Sequence, residues 1–99
     1  IKSALARGRS ALTDALIKAR HESGLTQRDL AKKLGCLPAT VANIETGQRR
    51  IDVIELIALA DALEVPARDL FEIALQNTTP EELFNNFSRA TRPRGAKNT

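Results

Sequence analysis

A chain of 99 residues, 42% of them hydrophobic, holds one small domain with a modest core. Three Phe are its only aromatic residues, so the core is built from Leu, Ile, Val and Ala, a mixture that favours packed helices over a β-sandwich. A single cysteine, Cys36, excludes an intrachain disulfide and a cysteine-rich metal cluster and fits a reducing compartment; no apolar run approaches a membrane span, and no secretory leader pattern is read.

Residues 1–9 read as a short basic arm, helical or frayed, with Lys2, Arg7 and Arg9 and a break at Gly8. Ser10 is placed to cap a first helix over about residues 10–23, where Leu12, Leu16 and Ala19 recur at helical spacing and Gly24 supplies a left-handed stop. Thr26 caps a second helix, with Asp29 three residues on as a short variant of the capping box. Leu30, Ala31 and Leu34 face inward, and Gly35 ends it. Pro38 opens a third helix at the position where its missing N–H costs nothing. Leu37, Val41 and Ile44 form its apolar stripe, Gly47 ends it, and a Gln48-Arg49-Arg50 loop follows.

Asp52 caps a fourth helix that runs to about Leu63. Val53, Ile54, Leu56, Ile57, Leu59, Ala60 and Leu63 make it apolar almost all round, the pattern of a helix at the centre of a bundle. Pro66 opens a fifth, with Leu70, Phe71, Ile73 and Leu75. Thr79, Pro80 and the pair Glu81-Glu82 are a further helix start, leading into Leu83, Phe84 and Phe87. Residues 89–99 are basic, contain Pro and Gly, and read as a disordered tail. No strand pattern or internal repeat is found. The expectation is an all-α fold: an arm over 1–9, a five-helix domain over 10–75, an additional C-terminal helix over 76–88, and the tail over 89–99.

The net charge of +3 hides a strong asymmetry. Residues 1–50 carry ten Lys and Arg against four acidic residues, residues 51–87 carry one against eight, and residues 88–99 carry four against none. A basic half beside an acidic half suggests a face made for a polyanion. Catalysis finds no support: no Ser/His/Asp set, paired carboxylates or Gly-rich phosphate loop is present, and neither cofactor nor metal is implied. His21 has no partner ligand at a suitable spacing and reads as a surface residue. Cys36 reads as a small hydrophobe in a turn rather than a redox switch, because no second thiol exists.

The second and third helices meet the demands of a helix-turn-helix. Ala31 is small enough for the two helices to cross closely, Gly35 tolerates positive φ in the turn, and Val41 and Ile44 seat the second helix. The run Leu25-Thr26-Gln27-Arg28-Asp29-Leu30-Ala31-Lys32-Lys33-Leu34-Gly35 resembles the opening of the Cro/C1-type (XRE-like) helix-turn-helix family. Val41-Ala42-Asn43-Ile44-Glu45-Thr46-Gly47-Gln48-Arg49-Arg50 is similar to its recognition helix and exit loop. Leu59-Ala60-Asp61-Ala62-Leu63 through Asp69-Leu70-Phe71 resembles its last two helices, so the likeness runs from about Leu12 to Phe71. It implies a lambda-repressor-like DNA-binding domain. It further implies that Gln27 contacts a DNA phosphate and buttresses the recognition helix. Arg20 and Glu45 hold the places of a structural ion pair, and Arg49 and Arg50 those of phosphate contacts.

A helical wheel with Leu37, Val41 and Ile44 turned inward leaves Ala39, Ala42, Asn43 and Thr46 outward. Asn43 suits bidentate bonding to adenine, and Ala39, Ala42 and the Thr46 methyl suit thymine methyls. Thr40 lies on the flank, within reach of a phosphate, and Lys32 stands beside the same backbone. The candidate DNA contacts are thus Gln27, Lys32, Pro38, Ala39, Thr40, Ala42, Asn43, Thr46, Arg49 and Arg50. One departure is the apolar stretch Leu37–Ala39, where polar side chains are common in the family; it points either to A·T-rich sequence read through methyl contacts and shape, the favoured reading, or to specificity that lies largely elsewhere.

Leu75, Leu83, Phe84 and Phe87 lie beyond the family core and are read as a dimer interface. A homodimer places two recognition helices about 34 Å apart, matching a two-fold operator. The expected partners are a double-stranded DNA operator and a second copy of the chain, with a further protein partner open, no membrane, and action in the cytoplasm of a bacterium or on behalf of a phage. Two alternatives stay beside this homodimeric repressor. One is an antitoxin or restriction-modification controller with the same domain. The other is a protein-interaction module that has lost DNA binding, favoured by Leu37–Ala39 and opposed by Gln27, Arg49 and Arg50.

Overall fold

Thr26 and Asp52 start two of the protein's helices by one device. The Thr26 hydroxyl accepts from the Asp29 N–H at 3.0 Å while the Asp29 carboxylate accepts from the Thr26 N–H at 3.0 Å. Asp52 and Glu55 repeat the exchange at 2.7 and 3.1 Å. Each box satisfies two amide groups that a helix start leaves without an acceptor. The computed structural model describes residues 4–79, and among these five helices follow one another with no strand. They are α1 Ala4–Glu22, α2 Gln27–Leu34, α3 Pro38–Glu45, α4 Val53–Leu63 and α5 Ala67–Gln76.

The stops are as local as the starts. At the end of α2, Gly35 adopts φ 75°, its N–H donates to the Lys32 carbonyl at 3.2 Å, and the Cys36 N–H reaches back to Ala31 at 2.9 Å. The same pair of bonds closes α4, from Glu64 to Asp61 at 3.1 Å and from Val65 to Ala60 at 3.0 Å. There the left-handed residue is Glu64 (φ 59°), at a steric cost of roughly 1–2 kcal/mol that glycine escapes.

The core is aliphatic, as the composition requires. Leu16 and Ala19 of α1, Leu30 and Ala31 of α2, Val41 and Ile44 of α3, five residues of α4 and Leu70 of α5 are buried together. α1 runs along α5, α2 crosses α3, and α4 touches both α2 and α5. The all-α, five-helix architecture is the expected one. The sixth helix, the tail, and with them Leu83, Phe84 and Phe87 lie outside the described residues.

Four local expectations are corrected. α1 begins at Ala4, so Ser10 sits inside the helix and is not its cap. Gly8, expected to break the chain, is instead a buried contact in which a Cβ would run into Thr78 Oγ1 beyond the end of α5. Tertiary packing there overrides the poor helix propensity of glycine. Leu37 is not on the inward stripe of α3: it is the extended N-cap residue (φ −80°, ψ 149°), which takes it off the helical phase and leaves it 71% exposed. α4 is not buried all round either. With α2 and α5 packed on its inner side, Val53, Ile54 and Ile57 are exposed.

Candidate nucleic-acid interface

α2, the Gly35-Cys36 turn and α3 form one rigid unit. Ala31 of α2 and Val41 of α3, each 1% exposed, are buried in the same core where the two helices pack, a place that leaves little room for a larger side chain. The back of α3 is tied down by charge. Arg20 Nε donates to Glu45 Oε2 at 2.7 Å and its Nη2 to Oε1 at 3.0 Å. Gln27 Nε2 donates to the same Oε1 at 2.9 Å, and Arg20 Nη1 caps the Leu25 carbonyl at 2.9 Å. One side chain from α1 and one from the first turn of α2 thereby fix the end of α3. Burial pushes the Glu45 carboxyl up, but the hydrogen bonds from Arg20 and Gln27 and the arginine charge outweigh it and hold its pKa below the usual 4.5.

The opposite side of α3 is open. Ala39, Asn43 and Thr46 are exposed, with Pro38 and Ala42 half-buried beside them. The Asn43 carbonyl gathers the exit loop, accepting from the Gln48 N–H at 2.9 Å, the Arg49 N–H at 3.0 Å and the Thr46 hydroxyl at 3.2 Å. Thr40 is turned aside from this face and lines a recess of about 170 Å³ with Leu34, Cys36 and Ala58. Cys36 is a free, half-buried thiol there.

The cations around the face are not equivalent. Lys32 is exposed, while Lys33 lies 3.7 Å from Glu64 across the domain. Arg49 is engaged: its Nη2 donates to Glu55 Oε2 at 2.7 Å and its Nη1 to Oε1 at 3.3 Å. That fork raises the pKa of Arg49 and, with the Asp52 amide, lowers that of Glu55. Arg50 is exposed and has no acidic partner among the described residues. Glu55 is the residue the sequence reading passed over. Its signal was the spacing Asp52-x-x-Glu55, a capping box whose acid is also within reach of the loop before it. Leu75 is exposed on α5 together with Phe71. Among the described residues, no group of His, Cys, Asp and Glu is placed to hold a metal ion, and no helix is long and apolar enough to cross a membrane.

The Helix-turn-helix family profile matches residues 16–70. Among solved structures, an XRE-family like protein from Pseudomonas syringae pv. tomato str. DC3000 has a TM-score of 0.66 and 32% sequence identity, covering 73% of this chain and 88% of its own. The clp gene regulator ClgR from C. glutamicum has a TM-score of 0.64 and 26% identity, covering 73% and 94% respectively. No curated protein matches the chain.

Proposed function

Since the chain belongs to the Cro/C1-type, XRE-like helix-turn-helix family of DNA-binding transcriptional regulators, we propose that it is a homodimeric repressor that reads a specific duplex sequence in the cytoplasm. α3 enters the major groove with Ala39, Asn43 and Thr46 toward the bases. Asn43 bonds adenine, and the apolar neighbours favour thymine methyls. Gln27, Lys32 and Arg50 grip the phosphate backbone in a salt-sensitive way. Occupying a promoter then excludes polymerase.

The observation that carries this reading is the contrast between the two sides of α3. One is clamped by the Arg20–Glu45–Gln27 cluster, and the other presents Asn43 and two small residues to solvent. A helix fixed in orientation with its polar reader outward is pre-organised for a groove. A module that binds protein instead is favoured by the exposure of Leu37 and of the outer side of α4.

Selection from a pool of random duplex DNA, with the protein and its Asn43→Ala variant in parallel, separates the two. An enriched palindromic motif that Asn43→Ala blurs while keeping non-specific binding supports the operator-reading dimer. Enrichment without a palindrome sinks the dimer, and no binding at low salt makes the protein-interaction module the better reading.

A further inference from the structure

The loop between α3 and α4 lies against α1. Arg9 and Thr13 of α1 face Gly47, Arg49 and Arg50 of the loop across a cleft of about 60 Å³. Every charged residue on its walls is an arginine. Arg49 is held by Glu55, whereas Arg9 and Arg50 are exposed and have no acidic partner among the described residues. Gly47, at φ 82°, has nothing within 4 Å of where a Cβ would stand, so the loop is open to approach at this point. Arg9, Thr13 and Gly47 also border the neighbouring recess that Thr46 lines, which puts the cleft beside the C-terminal end of the reading helix. The nearby acids, Asp14 and Glu45, line that second recess and not the cleft; Glu45 is already paired with Arg20.

Two guanidinium groups unpaired among the described residues, one from each wall of a cleft that no described acid lines, are a poor arrangement for the free protein, since the like charges repel. They suit an anion with several acceptor oxygens, because each planar fork can bond a phosphate edge. We propose that this cleft is a second backbone site, in which Arg9 and Arg50 together hold one phosphate of the DNA strand passing the end of α3. This deepens the reading of α3 as a groove-binding helix and rests on it. It makes the first helix, which lies outside the helix-turn-helix, part of the DNA contact.

The test is binding of the full chain to two short duplexes, one of random sequence and one selected from the pool, across a salt series. The variants are Arg9→Ala, Arg50→Ala and their combination, with circular dichroism and light scattering on each. Arg9 is exposed and its side chain forms no ion pair with a described residue, so the variant is expected to fold. Arg9→Ala is expected to raise Kd several-fold and by the same factor on both duplexes. The double variant is expected to lower the slope of log K against log salt by about 0.9, the mark of one lost phosphate contact. An unchanged Kd for Arg9→Ala overturns the site while leaving the proposed function standing. A loss confined to the selected duplex, or one accompanied by a change in mass, also overturns it, because base reading or assembly would then be its cause. Wild-type protein that binds neither duplex removes the functional reading and the site with it.

Discussion

Arg20 and Glu45 stand 25 positions apart in the chain and form a bidentate ion pair in which both side chains are under a tenth exposed. A buried pair of this kind is costly to halve and cheap to replace whole. Arg20→Met is expected to cost about 3–5 kcal/mol, because it leaves a carboxylate buried with Gln27 alone for a partner. Arg20→Met/Glu45→Leu is expected to recover most of that loss. Urea unfolding of the two variants measures the difference, and equal midpoints would mean that Glu45 finds water once Arg20 is gone.

The same pair sets an acid limit. Glu45 titrates lower in the folded chain than its usual 4.5, so its contribution to stability is full above that value and is lost as pH falls through the lowered one. Glu45→Gln carries no such proton. It is expected to be less stable at neutral pH and to show a flatter decline between neutrality and strong acid, read as unfolding midpoint against pH.

Glu55 holds Arg49 in the free protein. Glu55→Gln keeps a side chain able to accept from the Asp52 amide, so the start of α4 is preserved, while the ionic hold on Arg49 is released. Binding to random duplex DNA is expected to tighten several-fold, with the salt slope steeper by about 0.9. An unchanged slope would make Arg49 a brace for the loop and nothing more.

Gly8 and Thr78 are expected to be coupled. In a helix, glycine to alanine gains about 1 kcal/mol, but here the added carbon meets Thr78 Oγ1. Gly8→Ala should therefore stabilise the protein in a Thr78→Ala background and lose that gain in the native one. A double-mutant cycle by thermal unfolding reads the coupling, and additive changes would show that the threonine turns aside freely.

Deleting the residues after Thr78 removes Leu83, Phe84 and Phe87 and leaves Leu75 exposed. The truncated chain is expected to be monomeric by light scattering and to lose preference for two-fold sites while still binding single half-sites. An unchanged mass would move the interface elsewhere, with the outer side of α4 the next surface to vary.

What was legible in the sequence was what neighbours in the chain decide. Thr26 and Asp29, Asp52, and Gly35 announce their helix ends because the groups they bond lie within a few residues. The heptad-like recurrence of Leu12, Leu16 and Ala19 marked the inner side of α1 for the same reason. The errors fall mostly where distant segments decide. Gly8 packs against Thr78, seventy positions away in the chain, and no window around it shows this. Leu37 satisfies a helical stripe in the sequence but sits one residue before the helix begins, where the phase does not apply. The apolar circumference of α4 looked like burial on every side, yet a five-helix domain has too few neighbours to cover it. The charges of the site divide likewise: Arg49 and Arg50 are adjacent and read alike, and only the fold tells the held one from the free one.

The meeting of Gly8 with Thr78 places the first turns of α1 beside the residue where α5 is left behind. The five described helices therefore begin and finish close together. A short Gly-Ser bridge is expected to join those two points, and a circularly permuted chain opened between other helices to keep the packed contacts described above. The domain is by the same token a cassette: inserted into a loop of a host protein, it hangs from a single attachment point, and the host's loop need not be spread apart to receive it.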